Sequence, residues 1–514
     1  MKTPFSTEVF LLFSPLITII TVIAGRAFYA FFWISLIVLG LSLIFGRYFC
    51  GWICPFGTTF DITDRLMRKV RHKEFNSKHK IHHIKYCILV ILIVTAIFGL
   101  NIAGWFDPIS WSTRLYGLVV HPSGYLLSDY STAKIGWDPL RWIQSKIFHP
   151  QSGIGSFNQP YFQHALSVVA IFIGIASFGI IMRRFYCRVI CPLGAVFSLL
   201  GRFAFFRRYT SDACIECGNC LRECKMGAIG EKGKGTIYGE CILCFDCDTV
   251  CPVDCIYWNP ALKKQENLIV TSKSLPLDFT RRELIGSILG SLAALPIIRL
   301  ALATEGNRIR KDMPVSGTAS NVIRPPGAPN EKKFLAKCIR CGQCMKVCPT
   351  NGLQPLLFEQ GIEGLWTPTL VPRIGYCEFT CTLCMEVCPT GALELLSLEK
   401  KQRFALGKAE FNRNRCIPWT NHARWDKNPD TWFPAYHCGV CEEHCPGRDK
   451  NGEKAILLTW GDIPEQEGMN PPLPYMNTSA CIGCGQCEKV CPVEGDAAVR
   501  VWRTKSRGML VNGA

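Results

Sequence analysis

Twenty-four of the 30 cysteines in this 514-residue chain fall into six short runs whose spacing points to one kind of chemistry. Two runs lie close together, Cys214, Cys217, Cys220, Cys224 and Cys241, Cys244, Cys247, Cys251. Four lie further on: Cys338, Cys341, Cys344, Cys348; Cys377, Cys381, Cys384, Cys388; Cys416, Cys438, Cys441, Cys445; and Cys481, Cys484, Cys487, Cys491. Each contains the core C-x2-C-x3-C, and five end in Cys-Pro. Closely spaced thiolates on one loop, with a fourth cysteine just beyond, are how a chain wraps a four-iron cluster. Zinc is the competing reading, because C-x2-C pairs also make zinc knuckles. Zinc sites pair two short knuckles, whereas longer runs recur here six times. Six [4Fe–4S] clusters are therefore expected, with these 24 cysteines as iron ligands. A disulfide framework needs no such regular spacing.

The first two runs resemble two-cluster bacterial ferredoxins, in which the fourth cysteine of each run ligates the other cluster. One cluster then takes Cys214, Cys217, Cys220 and Cys251, and the other Cys241, Cys244, Cys247 and Cys224. Lys225 stands where the pattern usually has proline. Among the later runs, Cys377-x3-Cys381 replaces the usual x2, and 21 residues separate Cys416 from Cys438. Spacing alone does not say how the fourth cysteines of these four runs are exchanged.

Four more cysteines form a duplicated motif. Arg47-x2-Cys50-x3-Cys54-Pro55-x-Gly57 matches Arg184-x2-Cys187-x3-Cys191-Pro192-x-Gly194. Spacing of i, i+4 puts both thiols of a copy on one helical face, and each proline discourages helix through the second cysteine. If the copies pack together, Cys50, Cys54, Cys187 and Cys191 converge. They then hold a further metal centre, act as redox thiols, or merely pack a helix end. Cys87 and Cys255 fit no pattern. No C-x-x-C-H, Walker or strand-linked G-x-G-x-x-G motif occurs, so neither covalent haem nor nucleotide binding is signalled.

The elements that must position these cysteines start with apolar runs. Hydrophobic residues make up 48% of the chain and charged residues 19%, a deficit of charge that points to membrane segments. Runs 9–25, 27–46, 86–104 and 161–182 are near the ~20 residues of a membrane span, and 276–304 is a fifth. The first lacks a signal-peptide cleavage site. Residues 65–85 carry eight Lys and Arg and residues 105–160 only four. The positive-inside rule then puts the N-terminus and both cysteine pairs on the cytoplasmic side. Thr280-Arg281-Arg282-Glu283-Leu284-Ile285 resembles a twin-arginine export signal. The expected fold is an α-helical membrane domain of four spans and a fifth, joined to α+β bacterial ferredoxin-like domains. The expected boundaries are 1–205 for two helical hairpins, 206–262 for a cytoplasmic two-cluster ferredoxin, 276–304 for a twin-arginine-like fifth span or anchor, 305–330 for a linker and 331–514 for a four-cluster ferredoxin. With 57 Lys and Arg against 40 Asp and Glu the net charge is +17; loop charge accounts for much of it, and no nucleic-acid partner is expected.

Residues 1–260 resemble NapH, the membrane polyferredoxin with two C-x3-C-P motifs, and residues 276–514 resemble NapG and MauM. The chain reads in the order of a NapH–NapG fusion of the quinol dehydrogenase family. The resemblance implies a quinol dehydrogenase component of the bacterial inner membrane. Electrons would leave menaquinol or ubiquinol and reach a periplasmic c-type cytochrome or terminal reductase, with the C-terminal ferredoxin in the periplasm. It also implies that the first of the four later runs pairs with the last, and the middle two with each other. Quinol oxidation requires a base, for which Asp61, Asp64, His82 and His83 are candidates. With no haem in the spans, electrons would cross by a mobile quinone. Two alternatives stand beside this: a copper-reducing assembly factor, by likeness to oxidase-maturation proteins, and a non-catalytic relay subunit of a larger complex.

Overall fold

The computed structural model describes residues 8–28, 32–67, 79–124, 161–230, 233–260, 268–269, 280–306, 321–425, 438–449, 451–459 and 472–503. Its first half is a layer of short helices. Helix α1 (Pro15–Gly25) has Pro15 at its first position and the Ser14 side chain accepting from the Ile17 N–H, as an N-cap should. It stops at Arg26, which is left-handed at φ 49°. Helix α2 (Phe32–Phe45) stops at Gly46, φ 61°. Helices α3 (Pro55–Met67) and α4 (Ile84–Ile97) follow, and Gly99 at φ 78° turns the chain just past α4. Then come α5 (Pro108–Arg114), α6 (Ala165–Ser177), α7 (Pro192–Gly201), α8 (Arg281–Gly306) and α9 (Glu331–Lys337).

These stops correct the expectation of spans. The four apolar runs fold as helices of 11, 14, 14 and 13 residues. At 1.5 Å per residue they reach roughly 16–21 Å, against a hydrocarbon core of ~30 Å. From Arg281 onward the fifth run lies in α8, which opens with Arg281, Arg282 and Glu283 and contains Pro296; residues 276–279 lie outside the described residues. Thr280 and Glu283 cap it reciprocally, through Glu283 Oε2 on the Thr280 N–H (2.8 Å) and Thr280 Oγ1 on the Glu283 N–H (3.3 Å), a capping box. Among the described residues no helix is long and apolar enough to cross a membrane. The five-span fold and the inner-membrane placement with assigned sides are corrected accordingly. Of the loops used to orient the spans, 68–78 and 125–160 lie outside the described residues.

Helix α4 is the centre of the layer and packs on α1, α7 and α8. Leu92 and Ala96 on it are fully buried. Apolar residues also cover the outer surface: on α2, Trp33 is 71% exposed and Ile37 63%.

The rest is mixed helix and strand in ferredoxin-like parts. In the first, β1 (Phe206–Ser211), β2 (Ile256–Pro260) and β3 (Leu268–Ile269) form an antiparallel sheet in the order β2-β1-β3, with Phe206 opposite Pro260 and Thr210 opposite Ile256. The cysteine loops lie between β1 and β2. In the second, β4 (Leu353–Pro355) pairs with β5 (Pro368–Leu370) between Cys348 and Cys377. Strands β6 (Lys408–Phe411) and β9 (Val499–Trp502) pair outside the last two cysteine runs, while β7 (Ile456–Thr459) and β8 (Leu473–Met476) pair between them.

The two ferredoxin-like parts dock at the two ends of α4. At its start, Lys85 reaches Glu240 beside Cys241, and Trp52 Nε1 donates to the Leu243 carbonyl at 2.8 Å. Beyond its end, Asn101 Nδ2 donates to the Ala336 carbonyl at 3.2 Å, and Arg340 donates to the Asn101 carbonyl. Gly104 lies so close to the Ile339 carbonyl that an added Cβ would stand 1.8 Å from its oxygen.

Candidate iron–sulfur centres

Four of the six runs share one loop shape. The second residue after the first cysteine is left-handed: Glu216, Leu243, Arg340 and Gly483, at φ 55°, 52°, 56° and 69°. So is the fourth: Gly218, Phe245, Gly342 and Gly485, at φ 73°, 61°, 82° and 84°. Side chains rarely adopt this region, so Glu216, Leu243, Phe245 and Arg340 are held there by the loop's task. Left-handed residues spaced in this way make a concave run of backbone N–H groups that suits an anion. The two loops with irregular cysteine spacing lack this pair of residues. The donor set fits four-iron clusters, whose chemistry is one-electron storage and transfer.

In the first ferredoxin-like part, Cys214, Cys217, Cys220 and Cys251 line one cavity of about 320 Å³. Cys241, Cys244 and Cys247 gather with Cys224. Cys255 is a residue that pattern reasoning left aside. It is buried, lines the first cavity, and its sulfur is 3.5 Å from that of Cys251. The signal for it was its position four residues after Cys251, where the chain turns back into β2.

In the second part the four runs pair differently from what resemblance implied. Cys348 lines a cavity of about 410 Å³ with Cys377, Cys381 and Cys384, while Cys388 lies in the field of Cys338, Cys341 and Cys344. Cys445 lines a cavity of about 330 Å³ with Cys481, Cys484 and Cys487, and Cys491 joins Cys416, Cys438 and Cys441. So the first run exchanges with the second and the third with the fourth. The physical reason is strand pairing, with the β4–β5 hairpin tying the first two runs and the β6–β9 pair closing over the last two. The two halves meet where the Cys377 N–H donates to the Cys484 carbonyl at 2.8 Å. Burial, and then neighbouring thiols, push Cys241, Cys441 and Cys484 up to about 12. A bound metal reverses this, because ligation requires the thiolate. Among the described residues no group of three His, Cys, Asp or Glu side chains is placed to hold a single metal ion.

The duplicated motif converges as a pseudo-twofold pair. Cys187, Cys191 and Cys54 are buried, and all three lie in the field of Cys50. The arginines and glycines shared by the two copies have a place. Arg47 Nη2 donates to the Cys187 carbonyl and Arg184 Nη1 to the Cys50 carbonyl, both at 3.3 Å, so each copy's arginine holds the other's first cysteine. Gly194 leaves room for Arg47, as an added Cβ would stand 2.7 Å from Nη2. Gly57 does the same beside Arg184, at 3.6 Å. Cys191 caps α7, its sulfur accepting from the Gly194 N–H at 3.2 Å, with Pro192 at the first helical position. Cys50 sits in the short helix Tyr48–Trp52, but Cys187 sits in a π-turn, Tyr186–Ile190.

Aromatic rings continue from this site toward the second ferredoxin-like part. Tyr186, next to Cys187, meets Phe56 at 4.9 Å between ring centres. Phe56 stacks on Trp111 at 6.4 Å, and Trp111 meets Trp366 at 5.2 Å. Arg114 sits between the two tryptophans, 4.6 and 4.3 Å from their rings, and its neighbour Thr113 donates to the Cys341 carbonyl at 3.0 Å. On the other side, Gly51 touches the Ile242 carbonyl. The candidate bases are mostly committed. Asp61 takes Arg184 at 2.6 Å and Lys225 at 3.5 Å. Burial would raise this carboxyl, yet the Arg184 hydrogen bond and charge hold it below its ordinary value. Asp64 accepts from the Arg184 N–H at 2.8 Å. His82 is buried 3.4 Å from Arg188, and His83 is partly exposed, 3.5 Å from Glu283. Cys87 lies on α4 outside all of these sites.

Loops, donor sets and docking together define an iron–sulfur electron-transfer protein. Profiles described as a 4Fe-4S binding domain match residues 27–74 and 165–209, and again 473–498, and a 4Fe-4S dicluster domain matches 337–392. The last range holds the first two of the four later runs. The chain is 32% identical over 229 residues to the methylamine utilization ferredoxin-type protein MauM of Methylorubrum extorquens, covering 44% of this chain and 90% of that protein. It is 31% identical to the ferredoxin-type protein NapG of Escherichia coli, over 42% of this chain and 83% of the other. It is 29% identical to the regulatory protein NosR of Pseudomonas aeruginosa, over 46% of this chain and 28% of the other. The chain belongs to the MauM/NapG family of ferredoxin-type proteins.

Proposed function

We propose that this chain joins a NapH-like N-terminal part to its MauM/NapG-type ferredoxin and takes electrons from a quinol. The electrons go on to a redox partner such as a c-type cytochrome or a terminal reductase. The observation that carries the reading is a series of thiol sites on both sides of the helical layer, with ring contacts between them. It runs from the Cys214 and Cys241 sites, through Cys50, Cys54, Cys187 and Cys191, along the rings of Tyr186, Phe56, Trp111 and Trp366, to the Cys338 site and on to the Cys377, Cys481 and Cys416 sites. Such a series serves one-electron transfer over distance, and six storage sites suit throughput better than reduction of a metal ion. With rings joining the two halves, no mobile quinone is needed to carry electrons between them. A quinol yields two electrons and two protons, and the electrons leave one at a time. Of the candidate bases, His83 is partly exposed and sits 3.5 Å from Glu283, placed to pass a proton to water.

The test uses the iron-loaded full chain under anaerobic conditions, with duroquinol or menadiol as the reductant. Bleaching of the visible cluster absorbance, with matching EPR signals, is the expected result. Clusters that dithionite reduces and neither quinol does would remove the quinol from the proposal and leave a relay protein.

A further inference from the structure

Among the described residues, which include every cysteine, Cys217 is the one cluster cysteine exposed to solvent; the others are buried or half-buried. It lines the cavity of about 320 Å³ with Cys214, Cys220 and Cys251. Arg208, Thr210 and Ile256, all buried, close the back of that cavity. Its mouth is apolar: Ile215 and Val253 line it and are 61% and 39% exposed. Val253 stands between Pro252 and Asp254, the latter left-handed at φ 44°, in the turn that leads into β2. The cavities of the Cys377 and Cys481 sites have no exposed cysteine on their linings.

Single exposed apolar side chains are ordinary, but two at the mouth of a redox site mark a place where another molecule sits. The position of the site in the series says the same. His82 and His83 precede α4, His82 lies 3.4 Å from Arg188 beside Cys187, and Lys85 reaches Glu240 beside Cys241. Electrons entering there pass to the second ferredoxin-like part without visiting the Cys214 site. That site is a branch, joined to the Cys241 site by the exchanged Cys224 and Cys251, and it ends at an exposed ligand. The charge around it is also distinct. The chain carries +17, yet Asp212, Glu216 and Asp254 on this rim are all exposed carboxylates. The cations beside them are Lys234, taken by Glu216 at 2.6 Å, and Arg222, whose Nη2 donates to Asn219 Oδ1 at 2.6 Å. Three carboxylates against these two cations leave the rim negative.

We infer that the mouth of the Cys214 site is a docking port for a small one-electron carrier protein whose redox group lies at its surface inside a ring of lysines. Ile215 and Val253 meet the apolar edge around that group, and Asp212, Glu216 and Asp254 face the lysines. One electron leaves the reduced cluster beside Cys217 and reduces the carrier's oxidised centre; no bond forms and no proton moves. This rests on the electron-transfer reading above and adds to it a second port, at the opposite end of the series from the Cys416 site.

The experiment mixes the iron-loaded full chain, reduced with dithionite and freed of the excess, with an oxidised lysine-ringed cytochrome c in an anaerobic stopped flow, and follows the ferrous haem absorbance. The Asp212→Asn/Asp254→Asn double variant is compared with wild type; asparagine tolerates the left-handed backbone at position 254. Its second-order rate should fall at least about fivefold at low ionic strength, as loss of steering does, and the gap should close in about 0.5 M salt. Ile215→Ser should be slower at both salt concentrations. Carbodiimide crosslinking of the wild-type mixture, read by mass spectrometry, should join carrier lysines to Asp212, Glu216 or Asp254. A double variant as fast as wild type at full iron content overturns the inference, and so do crosslinks confined to other carboxylates. If Ile215→Ser loses iron, the double variant and the crosslinks decide. Failure of the quinol reading leaves this test intact, since dithionite supplies the electrons, and failure of the cluster reading shows separately as low iron in the wild type.

Discussion

Docking of the first ferredoxin-like part on the helical layer depends on Glu240. Its carboxylate takes Arg47 at 2.6 Å and Lys85 at 2.5 Å, both cations fully buried, and Ser198 Oγ at 3.1 Å. Burial pushes this carboxyl up, but Lys85 and Arg47 outweigh it and bring it down from 4.5 to about 2. A shift of that size is a stabilisation on the order of 3 kcal/mol. Removing one member of a buried pair costs about 3–5 kcal/mol, and Glu240→Gln leaves two cations uncompensated while keeping the side chain's shape. The expected loss is about 3 kcal/mol, read as a lower urea midpoint for loss of visible cluster absorbance under anaerobic conditions. The pH dependence has a definite sign. The folded carboxyl titrates below an unfolded one, so its contribution is complete above pH 4.5 and is lost as pH falls toward 2. Wild type and variant should therefore converge in acid. A variant within about 0.5 kcal/mol of wild type at neutral pH, or one that keeps the wild-type acid sensitivity, would refute the reasoning.

Three further outcomes follow from other contacts. Cys251→Ala should keep most of its iron because Cys255, 3.5 Å away, takes the vacant corner, whereas the Cys251→Ala/Cys255→Ala double variant should lose about four irons per chain; equal loss in both would show Cys255 to be a bystander. Trp111→Leu should leave iron content unchanged but slow electron passage between the two ferredoxin-like parts about tenfold, or about 1.4 kcal/mol on the barrier, in stopped-flow reduction by a quinol; an unchanged rate contradicts the ring path. Gly194→Ala should displace Arg47 and cost about 1–3 kcal/mol, as overpacking does, while Gly57→Ala, whose Cβ meets Arg184 only at 3.6 Å though it stands 3.0 Å from the Cys50 carbonyl, should cost less; the reverse order in urea unfolding would contradict the assigned role of the arginines.

How much of this was legible in the sequence differs from residue to residue. The cysteine runs were, because cluster loops are local and their spacing is the structure. The exchange of fourth cysteines among the later runs was not, since it is set by which strands pair, β4 with β5 and β6 with β9, and those strands are only three or four residues long. The membrane spans were misread for a physical reason. Helix α2 is apolar on its outward face as well as its inward one, as Trp33 and Ile37 show, so composition alone looked like a span. The stops that shorten the helices, Ser14-Pro15, Arg26, Gly46 and Gly99, are single residues inside apolar stretches. Cys255 escaped because it belongs to no run. The R-x-x-C-x-x-x-C-P-x-G repeat was visible as a repeat. What the arginine and glycine do in it appears only when the two copies face each other.

The central claim is that six thiol sites each hold a four-iron cluster. Iron and acid-labile sulfide counted per anaerobically purified chain, with EPR on the same sample, test it most directly. The account predicts about 24 iron and 24 sulfide, rising to about 28 if Cys50, Cys54, Cys187 and Cys191 hold a cluster of their own. A few irons per chain, with zinc making up the difference and no cluster signal on reduction, would contradict it.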